Sequence, residues 1–311
     1  MAKSKTSKLK RKPARAIQLT KRDKDIILAL HRYRFLTTEH LQKLTGTESR
    51  WGINARLRLL YDHKYVDRPQ AQKALYSHAD KRPVIYALGN KGLEFVKGRY
   101  SLFKTSKQYH TEKNRRVREH YIEHILGISD FMVSIETMCR NSDQYELIEP
   151  QMILNRSPVQ TQRSRYPFRW KTRIKHNGES YEIAITPDYI FGIKNRERDT
   201  ERFYFVEIDR GTMPVTRRDM NQTSFQRKIL SYADTYERGL VKRRFGLNGF
   251  QVLTVTTSEA RIKAIQDAIV NLPIKPFSAN TFLFRTKGDN QSHFPFHSNW
   301  QNSKGNTSDI I

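Results

Sequence analysis

The 311-residue sequence predicts an α+β protein of two domains, a small helical one carrying a β-hairpin and a larger one with an α/β core. Three observations predict it. Apolar residues recur at helical spacing through residues 20–63, and two short β-type runs follow them. Further on, two β-branched and aromatic runs, Tyr181–Ile193 and Phe203–Ile208, flank the charged loop KNRERDTER. After them Phe225, Ile229, Tyr232 and Tyr236 mark an amphipathic helix ending at Gly239.

Composition bounds what such a protein does. The formal charge is +26, which points to a polyanion as partner, most simply double-stranded DNA. The single Cys139 excludes an internal disulfide framework and a cysteine-rich zinc site, and its apolar helical surroundings make it a core residue. No stretch reaches transmembrane length, and no apolar segment follows the basic start of the chain. The expectation is a cytoplasmic protein, associated with nucleoid or plasmid and not with membrane.

Residues 1–19 contain basic residues and no acids. They read either as an arm that gains order on phosphates or as a solubilising tail. Residues 20–97 form the first domain. Thr20 caps a helix whose acidic first turn includes Asp23 and whose inward stripe is Ile26, Ile27 and Leu30. Thr37 or Thr38 caps a second, short helix that buries Leu41 and Leu44 and turns at Gly46. A third helix, from Glu48 to His63, has the core stripe Ile53, Leu57 and Leu60. Arg50, Asn54 and Arg58 recur on a neighbouring face, and these residue types suit guanine and adenine edges. YVDRPQ and VIYAL read as a strand pair around a basic loop with Lys73, Lys81 and Arg82, and LGNKGLEFV closes the unit as a helix. Helix, helix, helix, hairpin is the order of a winged helix-turn-helix, which presents its third helix to the major groove. A solvated basic face or a protein-docking module would leave the same pattern.

Residues 98–116 read as a linker, polar, basic and without periodicity, and residues 117–285 as the second domain. It opens with a helix from Val117 to Arg140. His120 and His124 share one face there, as a metal pair or as packing and phosphate contacts. A strand is expected over 145–155. Residues 156–180 interleave Arg163, Arg165, Arg169, Lys171, Arg173 and Lys175 with Tyr166, Phe168 and Trp170. They read either as a nucleic-acid contact or as a β-hairpin with basic outer positions. FQVLTVTT is a buried strand, SEARIKAIQDAIVNL a helix capped by Ser258, and Phe282-Leu283-Phe284 a late strand. Residues 286–311 read as a polar tail.

The acids of the central strands carry the chemistry. Pro187-Asp188 falls inside the first run, and Glu207-Ile208-Asp209 closes the second. Residues two apart share a strand face, so Glu207 and Asp209 point the same way, and pairing in register brings Asp188 beside them. Three carboxylates on one patch repel, and Mg²⁺ or Mn²⁺ would relieve that cost. Solvated acids at strand ends, with Asp209 opening a turn, are the plain alternative. Lys228 stands beside the apolar face of the next helix, and a lysine projecting from there could sit near the carboxylates, although the sequence does not decide whether it reaches them.

This order, strand with Pro-Asp, strand with Glu-x-Asp, then helix, resembles the PD-(D/E)xK nuclease superfamily. The resemblance implies a restriction-endonuclease-like αβββαβ core, a metal on Asp188 and Glu207, a helix-borne acid near it that Glu119 or Glu123 could supply, and a lysine that positions the attacking water. Asp209 stands where that lysine usually is, and Lys228 matches members whose lysine has moved to the following helix. The chain more closely resembles the replication-relaxation family of plasmids and other mobile elements. RDKDIILAL, FLTTEHLQKL, RLRLL, YALGNKG, His124 with its helix, TPDYIF, FVEIDRGT and Lys228-x-x-x-Tyr232 carry this resemblance over residues 20–285. It implies a role in plasmid replication and DNA relaxation, alongside replication or mobilisation proteins. Two functions therefore stand: a DNA-binding replication factor with a nuclease-like domain, or a metal-dependent endonuclease or nickase using Asp188, Glu207, Asp209 and Lys228.

Overall fold

A computed structural model describes residues 10–12, 16–72, 83–99, 114, 116–272, 279–288 and 300–310. The chain forms two compact units, 1–133 and 134–311. The division falls within a long helix and not in the 98–116 stretch, most of which lies outside the described residues.

In the first unit, helix α1 (Lys21–Tyr33) starts at a reciprocal cap: Thr20 accepts from the Asp23 amide and Asp23 accepts from the Thr20 amide. Strand β1 (Phe35–Thr37) runs directly into α2 (Thr38–Thr45), which Thr37 and His40 cap in the same reciprocal way. Gly46 ends α2 in the left-handed conformation, and Ser49 caps α3 (Arg50–Asp62). Strands β2 (Val66–Asp67) and β3 (Ile85–Leu88) complete an antiparallel sheet of order β1-β3-β2. Helix α4 (Asn90–Arg99) follows. Gly89 and Gly92 explain the YALGNKG segment: a Cβ on either would lie 2.3 Å or 2.2 Å from a carbonyl oxygen of Lys64 or Tyr65. Helix α5 (Glu119–Arg140) begins in this unit, packing Ile122 against Phe35, Ile85 and Ala87. Ser129 donates to the Phe35 carbonyl at 2.8 Å, and His40 meets Asp130 at 2.7 Å.

The second unit is built on a mixed seven-stranded sheet of order β12-β11-β10-β9-β8-β7-β4. Strand β4 (Tyr145–Ile148) is its outer strand beside β7. The expected strand over 145–155 is shorter: Pro150 opens helix α6 (Pro150–Arg156), and proline suits a helix's first turn. A short helix, α7 (Val159–Gln162), precedes β5 (Trp170–His176) and β6 (Glu179–Ile185), which form a hairpin of their own. The run Tyr181–Ile193 is therefore two strands: β6 ends at Ile185 and β7 (Tyr189–Asn195) belongs to the large sheet. Pro187 sits at the joint, where its missing N–H interrupts no ladder.

Strand β8 (Thr200–Ile208) pairs antiparallel with β7 and parallel with β9 (Gln251–Thr256). Helices α8 (Phe225–Glu237) and α9 (Leu240–Phe245) bridge β8 and β9. Helix α10 (Glu259–Val270) bridges β9 to the parallel β10 (Phe282–Thr286). The core joins Phe205, Ile229, Tyr232, Phe250, Ile262 and Phe282, and the β5–β6 hairpin adds Trp170, Ile174 and Ile183. Successive strand residues face opposite ways, so Phe191 and Tyr204 stack at 5.0 Å away from that cluster. Cys139 is buried, as its apolar surroundings predict, and burial pushes its thiol up to about 12. Residues 300–310 are not a loose tail: β11 (Trp300–Asn302) and β12 (Thr307–Ser308) extend the sheet with Trp300 and Ile310 fully buried. Apolar anchors inside a polar stretch hold them there, and Tyr204 donates to the Ile310 carbonyl.

Candidate functional site

The site lies where β8 ends and α8 begins. Asp188 follows Pro187 at the joint between strands, and its amide donates to the Val206 carbonyl at 3.0 Å. Its carboxylate accepts from the Ile208 amide at 2.8 Å, which fixes it beside the end of β8. Glu207 points into the unit and is 1% exposed. Ser224 caps α8 and so places Lys228 in the helix's first turn, one helical turn before Tyr232. Lys228 Nζ donates to Glu207 Oε2, and the Tyr232 hydroxyl donates to Oε1. The ammonium thus reaches Glu207.

Burial pushes the Glu207 carboxyl up to about 7, with the Asp188 charge adding to that push, against the pull of Lys228 and the Tyr232 hydroxyl. Burial disfavours the Lys228 cation, yet Glu207 and Asp188 outweigh it and hold its pKa well above the ordinary lysine value. Burial, then Glu207, raise the Tyr232 phenol, which stays protonated as a donor. The result is a buried, hydrogen-bonded carboxyl that titrates near neutrality beside a fixed cation.

Asp209 goes elsewhere. Its Oδ2 accepts from Arg261 Nε at 2.7 Å and from Thr256 Oγ1 at 2.8 Å, and Oδ1 accepts from Arg261 at 3.2 Å and from the Gly211 amide at 3.1 Å. The expected patch of three carboxylates is therefore not assembled, because a guanidinium from α10 claims the third. No group of three or more metal-ligating side chains is found among the described residues. Asp188 and Glu207 are the acids a metal could draw on, and both oxygens of Glu207 already accept from Lys228 and Tyr232. His120, His124, Glu119 and Glu123 lie on the half of α5 that belongs to the first unit.

The expected nucleic-acid contacts separate into three sets. Arg50 and Asn54 are exposed on α3, Arg50 lying 3.7 Å from the exposed Glu39 carboxylate and Asn54 accepting a 3.4 Å bond from Thr38. Arg58, by contrast, is tied down by Asp62 at 2.8 Å and the Lys10 carbonyl at 2.8 Å. Arg165, Arg169 and Lys171 are exposed in the second unit. Strand β5 alternates buried Trp170, Thr172 and Ile174 with exposed Lys171, Arg173 and Lys175, the hairpin with basic outer positions. Lys73, Lys81 and Arg82 lie outside the described residues.

Three residues escaped the sequence reading. Trp51 is 83% exposed beside Arg50, whereas the other two tryptophans are buried. An indole breaking the helical apolar stripe was the available signal. Arg56 clamps the fully buried Asp23, whose pKa falls because the Arg56 and Thr20 bonds outweigh the burial that opposes ionisation. Arg261 sits far from Asp209 in sequence, and nothing local marks it as the partner.

Fold and site together define a basic α+β protein with a buried Glu–Lys–Tyr network at the end of a mixed sheet. The chain belongs to the replication-relaxation family, whose family model matches residues 28–250. Neither the curated proteins nor the solved structures compared with it gave a match. Among the described residues, no helix is long and apolar enough to cross a membrane.

Proposed function

We propose that the protein binds double-stranded DNA and acts in the replication or relaxation of a plasmid or another mobile element, together with replication or mobilisation proteins. In this reading the first unit is a winged helix-turn-helix with α3 in the major groove. The observation that carries it is the α3 surface, where Arg50, Trp51 and Asn54 stand exposed in a chain of net charge +26. Arginine and asparagine match guanine and adenine edges bidentately, and the apolar indole suits a thymine methyl. The second unit serves as a PD-(D/E)xK-like body that grips DNA.

Cleavage is the second reading, and Lys228 against Glu207, next to Asp188, favours it. A Mg²⁺ or Mn²⁺ ion there would draw on Asp188 and Glu207, while Asp209 holds Arg261. Supercoiled plasmid, incubated with either ion and followed by gel shift, tests both readings. Wild type is expected to shift the plasmid, and Arg50→Ala with Asn54→Ala to weaken specific binding by about 1–3 kcal/mol each. Absence of any shift by wild type sinks the proposal. Nicking by wild type, lost in Asp188→Ala and Glu207→Ala variants that still bind, makes the protein an endonuclease; binding without nicking leaves a DNA-binding factor.

A further inference from the structure

A groove in the second unit lies apart from the Glu207 network, bounded by α7, the start of β5 and α9. It encloses about 840 Å³, and its lining includes Arg163, Lys171, Arg243 and Arg244 with the apolar Val159 and Trp170. No aspartate or glutamate lines it among the described residues. Lys171 shares its charge with Glu182 across the hairpin at 2.6 Å. Among the described residues, no carboxylate pairs with Arg163, Arg243 or Arg244. Arg244 donates to the Pro167 and Tyr166 carbonyls at 2.8 and 3.2 Å, and Arg243 donates to the Arg238 carbonyl at 2.8 Å. These acceptors are neutral dipoles, so they orient the guanidinium groups without cancelling their charge. Burial consequently lowers the Arg244 pKa, with no carboxylate to oppose it. Arg163 is exposed at the same groove.

Uncompensated cations around a concavity call for an anion with several charges in a row. An aromatic stands next to a lining residue: Tyr166, whose carbonyl accepts from Arg244, is 55% exposed, with the Arg165 guanidinium 5.4 Å from its ring centroid. An exposed ring stacks on a base only where that base is unpaired.

We infer that this groove holds the backbone of single-stranded DNA, with Arg163 and Arg243 on phosphates and Tyr166 stacking on a base. The inference rests on the DNA-binding reading above but uses a different unit and a different form of DNA. Strand opening during replication or relaxation supplies such a ligand, and the groove would hold a displaced strand while α3 holds the duplex.

The test is fluorescence anisotropy of the full-length protein with labelled oligo(dT), labelled duplex and labelled oligo(rU), for wild type, Arg163→Ala/Arg243→Ala, Arg163→Lys/Arg243→Lys and Tyr166→Ala. Arg244 is left intact because it braces the 166–167 backbone. Loss of two phosphate contacts is expected to weaken oligo(dT) binding at least about tenfold and make the log K against log salt slope shallower by about 1.4, with duplex affinity held within about twofold. Lysine in place of both arginines restores the slope, and Tyr166→Ala weakens oligo(dT) binding without changing it. Unchanged oligo(dT) binding in the double alanine variant overturns the inference, as does an equal loss on duplex. Tighter binding of oligo(rU) than of oligo(dT) overturns the assignment to DNA. If wild type binds oligo(dT) through these residues but no duplex, the groove stands and the α3 reading falls.

Discussion

Glu207 and Asp209 stand two residues apart at the end of one strand, both almost fully buried, yet their partners differ in kind. Asp209 is held by an arginine, a threonine and a backbone amide, with four hydrogen bonds on its two oxygens. A guanidinium is always charged and fits a carboxylate as a fork, so this pair ties β8 to α10 and holds one arrangement. Glu207 is held by a lysine and a tyrosine from one face of α8. The Lys228 side chain is 31% exposed and its carboxylate partner 1% exposed. Asp209 is thus held by a permanently charged fork, whereas Glu207 is the acid of the two whose carboxyl is pushed up to about 7.

The largest expected effect breaks the architectural half. Asp209→Ala strands a mostly buried Arg261 and should lower unfolding free energy by about 3–5 kcal/mol in urea titrations. Arg261→Ala should cost a similar amount, and the double variant much less than the sum of the two. Additive losses would show that the pair does not act as a unit and would remove the contrast with Glu207.

Glu207 gives the second effect, through pH. Its folded pKa of about 7 lies above the ordinary 4.5. Between those values the folded chain holds a proton that the unfolded chain has lost, so stability falls as pH rises through this window, by at most about 3 kcal/mol. The raised Lys228 pKa contributes nothing there, because lysine is protonated in both states until alkaline pH. Glu207→Gln cannot titrate, and urea midpoints measured from about pH 5 to about pH 8 should lose this slope while Asp209→Asn keeps it. An identical slope in both variants would mean that Glu207 is not the titrating group.

How much of this was legible in the residues follows from how local each signal is. The capped helices of the first unit, the Thr20–Asp23 cap and the β7–β8 hairpin are set by neighbours in sequence, and the periodicity marked them. Helical spacing marked Lys228 as a candidate, one turn from Tyr232, but its bond to Glu207 spans 21 residues and was left open by the local pattern. The joint at Pro187 was misread because two strands sharing one apolar run look like one strand. Pro150 carried a helix-start signal that the apolar run after it obscured. The Asp209–Arg261 pair and the return of residues 300–310 to the sheet depend on contacts distant in sequence, which no local pattern encodes.

The smallest expected effect sharpens the functional half of the comparison. Tyr232→Phe keeps the ring against Phe205 and Phe250 and removes only the hydroxyl that Glu207 accepts. The stability cost should be about 1 kcal/mol. Its sign on the titration is the informative part. The hydroxyl stabilises the carboxylate, so its loss should raise the Glu207 pKa further and move the pH-sensitive window upward. Lys228→Met should move it the same way and further, because it removes a full charge, and the two shifts should couple when combined. If Tyr232→Phe leaves the window in place, the hydroxyl merely fills space, and Lys228 alone governs when Glu207 carries its charge.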